Sequence, residues 1–179
     1  RRIHMHLLET LYQREWADAT YPRGLVRFLD DIGLLSSRLT VAPGTYLRAD
    51  EIDLLAARDV ILSLNTCSNL RLRSGIAPAR QFLAAGLAMG IGLDALALDD
   101  DNDALRELRL TRLLHSGPGF TDGISEGQLF AAAMNIGARA VTGARDHGAV
   151  VPGAPADLML LDYGTLADDV MDGLIDETE

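Results

Sequence analysis

The sequence predicts an α/β fold organised as part of a parallel β/α barrel, and three observations carry that reading. Short apolar runs alternate with longer amphipathic ones, the pattern of βα units laid on a parallel sheet. The run Val60 to Leu64 is compact, β-branched and aliphatic, as expected of a strand buried on both faces. Two runs end in a residue able to bind a metal, His6 and Asp94, and β/α barrels carry their catalytic groups at the C-terminal ends of strands. Four parallel strands cannot close a barrel. An unclosed half exposes two sheet edges and an apolar inner face, so the missing barrel half is expected in the same parent chain or in another chain.

The elements follow in order. The first strand, near Arg2 to Leu7, leads into a helix over Leu11 to Ala19. A second helix follows Pro22, a residue suited to a first turn, with Leu25, Val26, Leu29 and Ile32 on one face. Leu39 to Ala42 is the second strand, and Asp50 is placed to cap a helix carrying Ile52, Leu54, Leu55 and Ala56. After the strand Val60 to Leu64, a loop from Ser68 to Pro78 precedes a helix over Ala79 to Ala88. The fourth strand, Met89 to Leu93, ends at Asp94.

The acidic stretch Asp99-Asp100-Asp101-Asn102-Asp103 opens a helix through Leu114, where carboxylates complement the helix dipole. It lacks the glycine and terminal glutamate of an EF-hand loop. Ser125 and Gln128 form a capping box for a helix over Gln128 to Ala138. The Gly- and Pro-bearing stretch Gly143 to Pro155 then leads to a short strand at Leu158 to Leu161 and an acidic, helical tail from Thr165. The expected division is a partial barrel over 1–142 and an incomplete connecting unit over 143–179.

Composition narrows the partners. At 179 residues and 48% apolar, the chain can bury the core of one globular domain. Its formal charge of −10 and its scattered basic residues, mostly arginines on predicted helix surfaces, argue against nucleic acid. The single cysteine, Cys67, excludes an intrachain disulfide and a Cys-rich zinc module, and fits a reducing cytoplasm. No apolar run reaches the roughly 18 residues of a spanning helix, and no charged-then-apolar leader opens the chain. A cytoplasmic location without membrane contact is therefore expected; a homo-oligomer is left open.

The densest chemistry lies in the first ten residues. In an extended segment His4 and His6 share one face, and Glu9 falls in the turn just past the strand. A metal ligand beside a carboxylate suits hydrolysis, because water activated at a metal needs a nearby group to move its protons. Plainer roles exist for each residue: a core histidine, a first-turn glutamate, a turn aspartate at Asp94. His4 either lines a pocket or fills the barrel interior. Asn69 and the stretch Arg71 to Ser74 either touch substrate or form a turn. His115 is read as decorating a helix C-terminus, His147 as solvent-facing, Cys67 as a small buried residue and Trp16 as packing.

Four motifs in register resemble the amidohydrolase superfamily: His6-Leu7-Leu8-Glu9-Thr10, Asn65-Thr66-Cys67-Ser68-Asn69-Leu70, Gly75-Ile76-Ala77-Pro78 and Gly92-Leu93-Asp94. The likeness is narrower still to the branch of triazine chlorohydrolases, guanine deaminases and methylthioadenosine/adenosylhomocysteine deaminases. Gly148 to Leu158 resembles that family's return from the barrel into a small β-domain. The resemblance implies the C-terminal half of a (β/α)8 TIM-like barrel, strands five to eight, with one divalent metal, Zn2+ first and Fe2+ second. It assigns His6 and Asp94 as metal ligands, Asp94 also as acceptor of a proton from metal-bound water, and Glu9 as the proton shuttle. The implied reaction is hydroxide attack on an electron-poor carbon of a nitrogen heterocycle, releasing ammonia, an amine or chloride. His4 and Asn69 are the candidate substrate contacts.

Two departures from the family pattern stand out. The family's first-strand His-x-His belongs far upstream of the fifth strand, and this chain opens at the fifth. In the sixth strand, where the family reads Ala-His-Cys, this chain reads Ala42-Pro43-Gly44, and proline cannot ligate or donate. A deaminase-like hydrolase is thus set against a degenerate, non-catalytic scaffold and, third, a split protein whose other half is a separate chain.

Overall fold

The computed structural model describes residues 1–95, 102–117 and 123–162. Four strands, β1 (Ile3–Leu7), β2 (Leu39–Pro43), β3 (Ile61–Leu64) and β4 (Ala88–Ile91), form a parallel sheet in sequence order. The helices between them are α1 (Leu11–Thr20) and α2 (Leu25–Asp31), then α3 (Ala49–Ala57), then α4 (Thr66–Arg71) and α5 (Ala79–Ala84). After β4 come α6 (Ala104–Leu114), α7 (Glu126–Ala131), a π-helical stretch (Ala132–Ile136) and α8 (Gly137–Thr142). The predicted α/β architecture of repeated βα units is the one observed. Among the described residues no helix is long and apolar enough to cross a membrane.

Alternation along the strands divides the two faces. Val41, Leu62, Leu64 and Met89 join Val26, Leu29, Ile52, Leu55 and Phe82 in the buried apolar core. Burying a side chain such as Phe82 completely contributes about 1.5–3 kcal/mol. His4, His6, Thr40, Ala42 and Ser63 face the other way, into an open cavity.

Several boundaries differ from the sequence expectation, for identifiable reasons. The loop expected from Ser68 begins as helix α4, because the buried Glu107 carboxylate on α6 accepts the amides of Thr66 (2.5 Å) and Cys67 (3.1 Å). The helix expected after Pro22 starts at Leu25 behind Gly24. In α3, Arg48 takes the cap position and Asp50 the first turn, because Glu51 reaches back to the Arg48 amide at 2.9 Å. Helix α5 stops at Ala84, since Gly86 turns left-handed at φ 70° and lets Leu87 N bond Phe82 O. The Ser125–Gln128 capping box forms as expected.

Residues 158–161 are exposed and unpaired rather than a strand; a strand needs a neighbouring ladder, and none lies beside them among the described residues. Arg14 and Arg139 are buried, not on helix surfaces, because Glu51 and Asp59 respectively receive their guanidinium groups. His115 caps α6 but is buried, and burial, then the charge of Arg80, holds its pKa below the ordinary value, so it is not the helix-end cation expected. His147 is only 23% exposed and pairs with Asp146. Of the acidic loop, Asp103 caps α6; Asp99 to Asp101, the Pro118-Gly119 turn and the tail from Thr165 lie outside the described residues.

Candidate active site

His6 leaves β1 and Asp94 follows β4, the two outer strands of the sheet, yet His6 Nε2 stands 3.9 Å from Asp94 Oδ1. Flat strands at about 4.8 Å spacing would set these columns roughly 14 Å apart. The sheet must therefore curl strongly, as a barrel wall does. The two side chains, 56% and 21% exposed, open into a cavity of about 430 Å³ that His4, Thr40, Ser63 and Asn65 also line.

Left-handed backbone precedes Glu9 and places Asp94, which lines that cavity. Leu8 adopts a left-handed φ of 49° although its side chain is buried, and Asp94 does the same at φ 69°. Such conformations cost about 1–2 kcal/mol outside glycine and concentrate at functional sites. Immediately beyond Leu8, the Glu9 amide donates to Gln13 Oε1 at 2.7 Å while Thr10 caps α1. Glu9 Oε1 accepts from Ser74 Oγ at 3.1 Å, and Asp94 Oδ2 accepts from Ser68 Oγ at 2.7 Å. Gly92 is needed for clearance: a Cβ there would stand 2.5 Å from Ser63 Oγ and 2.7 Å from Asn65 Oδ1.

An ion network with a buried Arg14–Glu51 pair and exposed Asp18 and Arg48 joins α1 to α3. Arg14 donates to both Glu51 oxygens at 2.8 and 2.9 Å and to Asp18, which Arg48 also engages. Burial works against the Arg14 charge, but the bonds to Glu51 and Asp18 outweigh it and raise its pKa. Asp18 is held below the usual carboxylate range, chiefly by Arg14.

The structure thus brings together His4, His6 and Asp94 around one cavity. Glu9 follows at the end of β1. Asn69 is placed elsewhere: it is buried, its Nδ2 reaches Thr45 Oγ1 at 3.4 Å, and its Oδ1 has no hydrogen-bond partner among the described residues, in a crevice shared with Thr66 and His115. Pro43 closes β2 opposite Leu7 and offers no donor atom. The sequence reading missed the roles of Ser68 and Glu107; a hydroxyl in a predicted loop and a glutamate on a predicted helix carry no local mark of a partner so distant in the chain.

One imidazole and one carboxylate are a donor pair suited to a zinc-type divalent ion. The His6–Asp94 approach fits two ligands of such a site. Among the described residues no group of three or more His, Cys, Asp or Glu could hold a metal, so the remaining ligands of a four-coordinate site must come from outside them.

Curled parallel strands, helical crossovers and polar side chains gathered past the strand ends define a segment of a (β/α)8 barrel with its site on the usual face. The chain belongs to the amidohydrolase family, whose profile matches residues 1–176. It is 33% identical over 160 residues to a 5-methylthioadenosine/S-adenosylhomocysteine deaminase of Nitratidesulfovibrio vulgaris, covering 89% of this chain and 36% of that protein. An adenosine deaminase of Xanthomonas campestris with bound zinc superposes with a TM-score of 0.84 at 32% identity, over 92% of this chain and 38% of that one. An atrazine chlorohydrolase of Arthrobacter aurescens complexed with zinc gives 0.76 at 29%, over 87% and 34%. The chain spans little more than a third of the length of the relatives it matches.

Proposed function

We propose that this chain supplies the C-terminal half of an amidohydrolase barrel that cleaves a C–N bond of a nitrogen heterocycle by hydrolysis, deaminating an adenosine-like substrate. The observation that carries the reading is the 3.9 Å approach of His6 to Asp94 across the whole width of the sheet. Similarity to deaminases and to zinc-bound barrel enzymes supports it. Cleavage of a C–Cl bond, as in the name of the chlorohydrolase, is the neighbouring chemistry.

In this reading His6 and Asp94 hold one divalent metal, zinc before iron, whose Lewis acidity brings the pKa of water down toward neutrality. Asp94 takes the proton of the attacking water. Glu9, fixed by Gln13 and Ser74, carries a proton to the leaving nitrogen. His4 faces the substrate from the same cavity; Asn69 lies outside that lining and supports the wall through Thr45. The other barrel half completes the site along the exposed outer edge of β1, where Ile3 is 44% exposed. Residues 143–179 lead toward a small β-domain.

The test uses the intact protein: elemental analysis for zinc and iron, with ammonia release from 5′-methylthioadenosine. Wild-type protein should carry metal and release ammonia, and Glu9→Gln should keep the metal while losing about 10²–10⁴-fold in turnover. Full activity in Glu9→Gln removes the shuttle role. Pro43, buried where the family pattern has histidine, favours a second reading, a barrel kept as a binding scaffold; metal-free, inactive wild-type protein would establish that one instead.

A further inference from the structure

Two buried serines each direct a hydroxyl at one of the two acids. Ser68 is 1% exposed and bonds Asp94 Oδ2; Ser74 is 4% exposed and bonds Glu9 Oε1. The contacts span 26 and 65 positions of sequence, yet both serines belong to one short segment, α4 and the turn behind it.

That segment is pinned at both ends. Its first amides are held by Glu107, and Thr66 Oγ1 meets Thr111 Oγ1 at 2.7 Å, one helical turn along α6. At the far end Ser74 N bonds Asn69 O at 2.9 Å. Arg73 and Gly75 are left-handed there, at φ 57° and 115°. A Cβ on Gly75 would lie 3.1 Å from Thr45 Cγ2 and 3.2 Å from the Tyr46 hydroxyl, so the turn is seated against the loop after β2. With its own backbone fixed, a serine hydroxyl can fix the carboxylate it touches. Ser68 engages Asp94 Oδ2 and leaves Oδ1, the oxygen 3.9 Å from His6, turned to the cavity.

We propose that Thr66 to Ser74 acts as a two-point clamp in which Ser68 and Ser74 are positioning residues, Ser68 selecting the Asp94 oxygen that faces His6 and Ser74 aiming the Glu9 carboxylate. The inference rests on the metal-dependent hydrolase reading above. It separates two roles on one element: Ser68 governs metal affinity, Ser74 governs proton delivery.

The experiment compares Ser68→Ala, Ser74→Ala and Ser68→Thr in the intact protein. Zinc affinity is measured by competition with a chromophoric chelator, turnover by ammonia release from 5′-methylthioadenosine, and folding by thermal midpoint. Ser68→Ala should weaken zinc binding by about tenfold or more, the usual effect of removing a hydrogen bond behind a ligand, and Ser68→Thr should recover it. Ser74→Ala should leave zinc affinity at the wild-type value and lower kcat by about tenfold at unchanged KM, the mark of an interaction made in the transition state. A purely structural role for the serines would move the midpoint with no such split. Wild-type zinc affinity in Ser68→Ala, or parallel loss of zinc and turnover in both alanine variants, overturns the clamp. Wild-type protein that binds zinc but releases no ammonia overturns the deaminase reading instead, and the zinc comparison still decides the Ser68 half of the clamp; wild-type protein without zinc affinity overturns both.

Discussion

Asp94 accepts from the buried Ser68 hydroxyl and the segment that holds it is cross-bonded to α6, whereas His6, opposite it, stands more than half exposed on an edge strand. Behind Asp94 lie Ser68, the amides of α4 and the Glu107 carboxylate, each with a partner across the fold. Behind His6 lies β1, which among the described residues pairs with β2 alone. One wall of the site is cross-bonded among the described residues, and the other stands exposed. The difference locates the cross-bonding on the β3–β4 side and leaves the β1 side open.

Removing Glu107 should break that comparison most severely. Glu107→Ala strands the buried Thr66 amide and the part-buried Cys67 amide at the start of α4, at about 1–3 kcal/mol for a fully buried unsatisfied group. Denaturant unfolding of the intact protein should show a loss of about 3 kcal/mol, with Glu107→Gln recovering part of it. A loss under about 0.5 kcal/mol, the usual size for surface changes, would mean that α4 is held by other contacts.

Gly92→Ala comes next. Its Cβ would stand 2.5 Å from Ser63 Oγ and 2.7 Å from Asn65 Oδ1, so these two side chains, bonded to each other at 3.0 Å, must give way. Overpacking of this kind costs about 1–3 kcal/mol. A variant as stable as wild type in denaturant would show that this pair yields without cost.

Much of this arrangement was legible beforehand and some could not be. Apolar runs marked all four strands, and the spacing of His4, His6 and Glu9 placed the first two on one face, because strand alternation is a local rule. Helix α4 was missed because its stabilising carboxylate lies 41 positions away from Thr66. The left-handed turns at Leu8 and Asp94 were equally invisible, since neither residue is a glycine and only the tertiary setting forces them. The fate of His115 follows the same logic: a helix-end histidine invites a positive charge until burial removes the water that would support it.

That histidine gives a milder test of the cross-bonded side. Its folded pKa is depressed, first by burial and then by Arg80, so on acidification the unfolded chain takes the proton before the folded one does. Its contribution is whole above the ordinary histidine value near 6.5 and is lost as pH falls below that value toward the depressed one. Unfolding midpoints measured from about pH 7.5 to 5.5 should therefore decline more steeply in wild type than in His115→Asn. Parallel profiles would place His115 in a more solvated setting than its 7% exposure indicates.

The smallest expected change in stability separates the two sides most sharply. His6→Ala removes an exposed side chain from an edge strand, so unfolding free energy should stay within about 0.5 kcal/mol of wild type. If the proposed site holds zinc, the same variant should lose most of it, because it deletes one member of the His6–Asp94 pair that approaches to 3.9 Å. Stability and metal binding thus come apart at His6. At Asp94 they should stay joined, since Asp94→Ala would discard both a ligand and the acceptor of the buried Ser68 hydroxyl. Measuring midpoint and zinc content on both variants of the intact protein checks the contrast. If His6→Ala proves as destabilising as Asp94→Ala, the β1 side is already part of the folded framework, and its exposure here reflects a surface that the completed barrel buries.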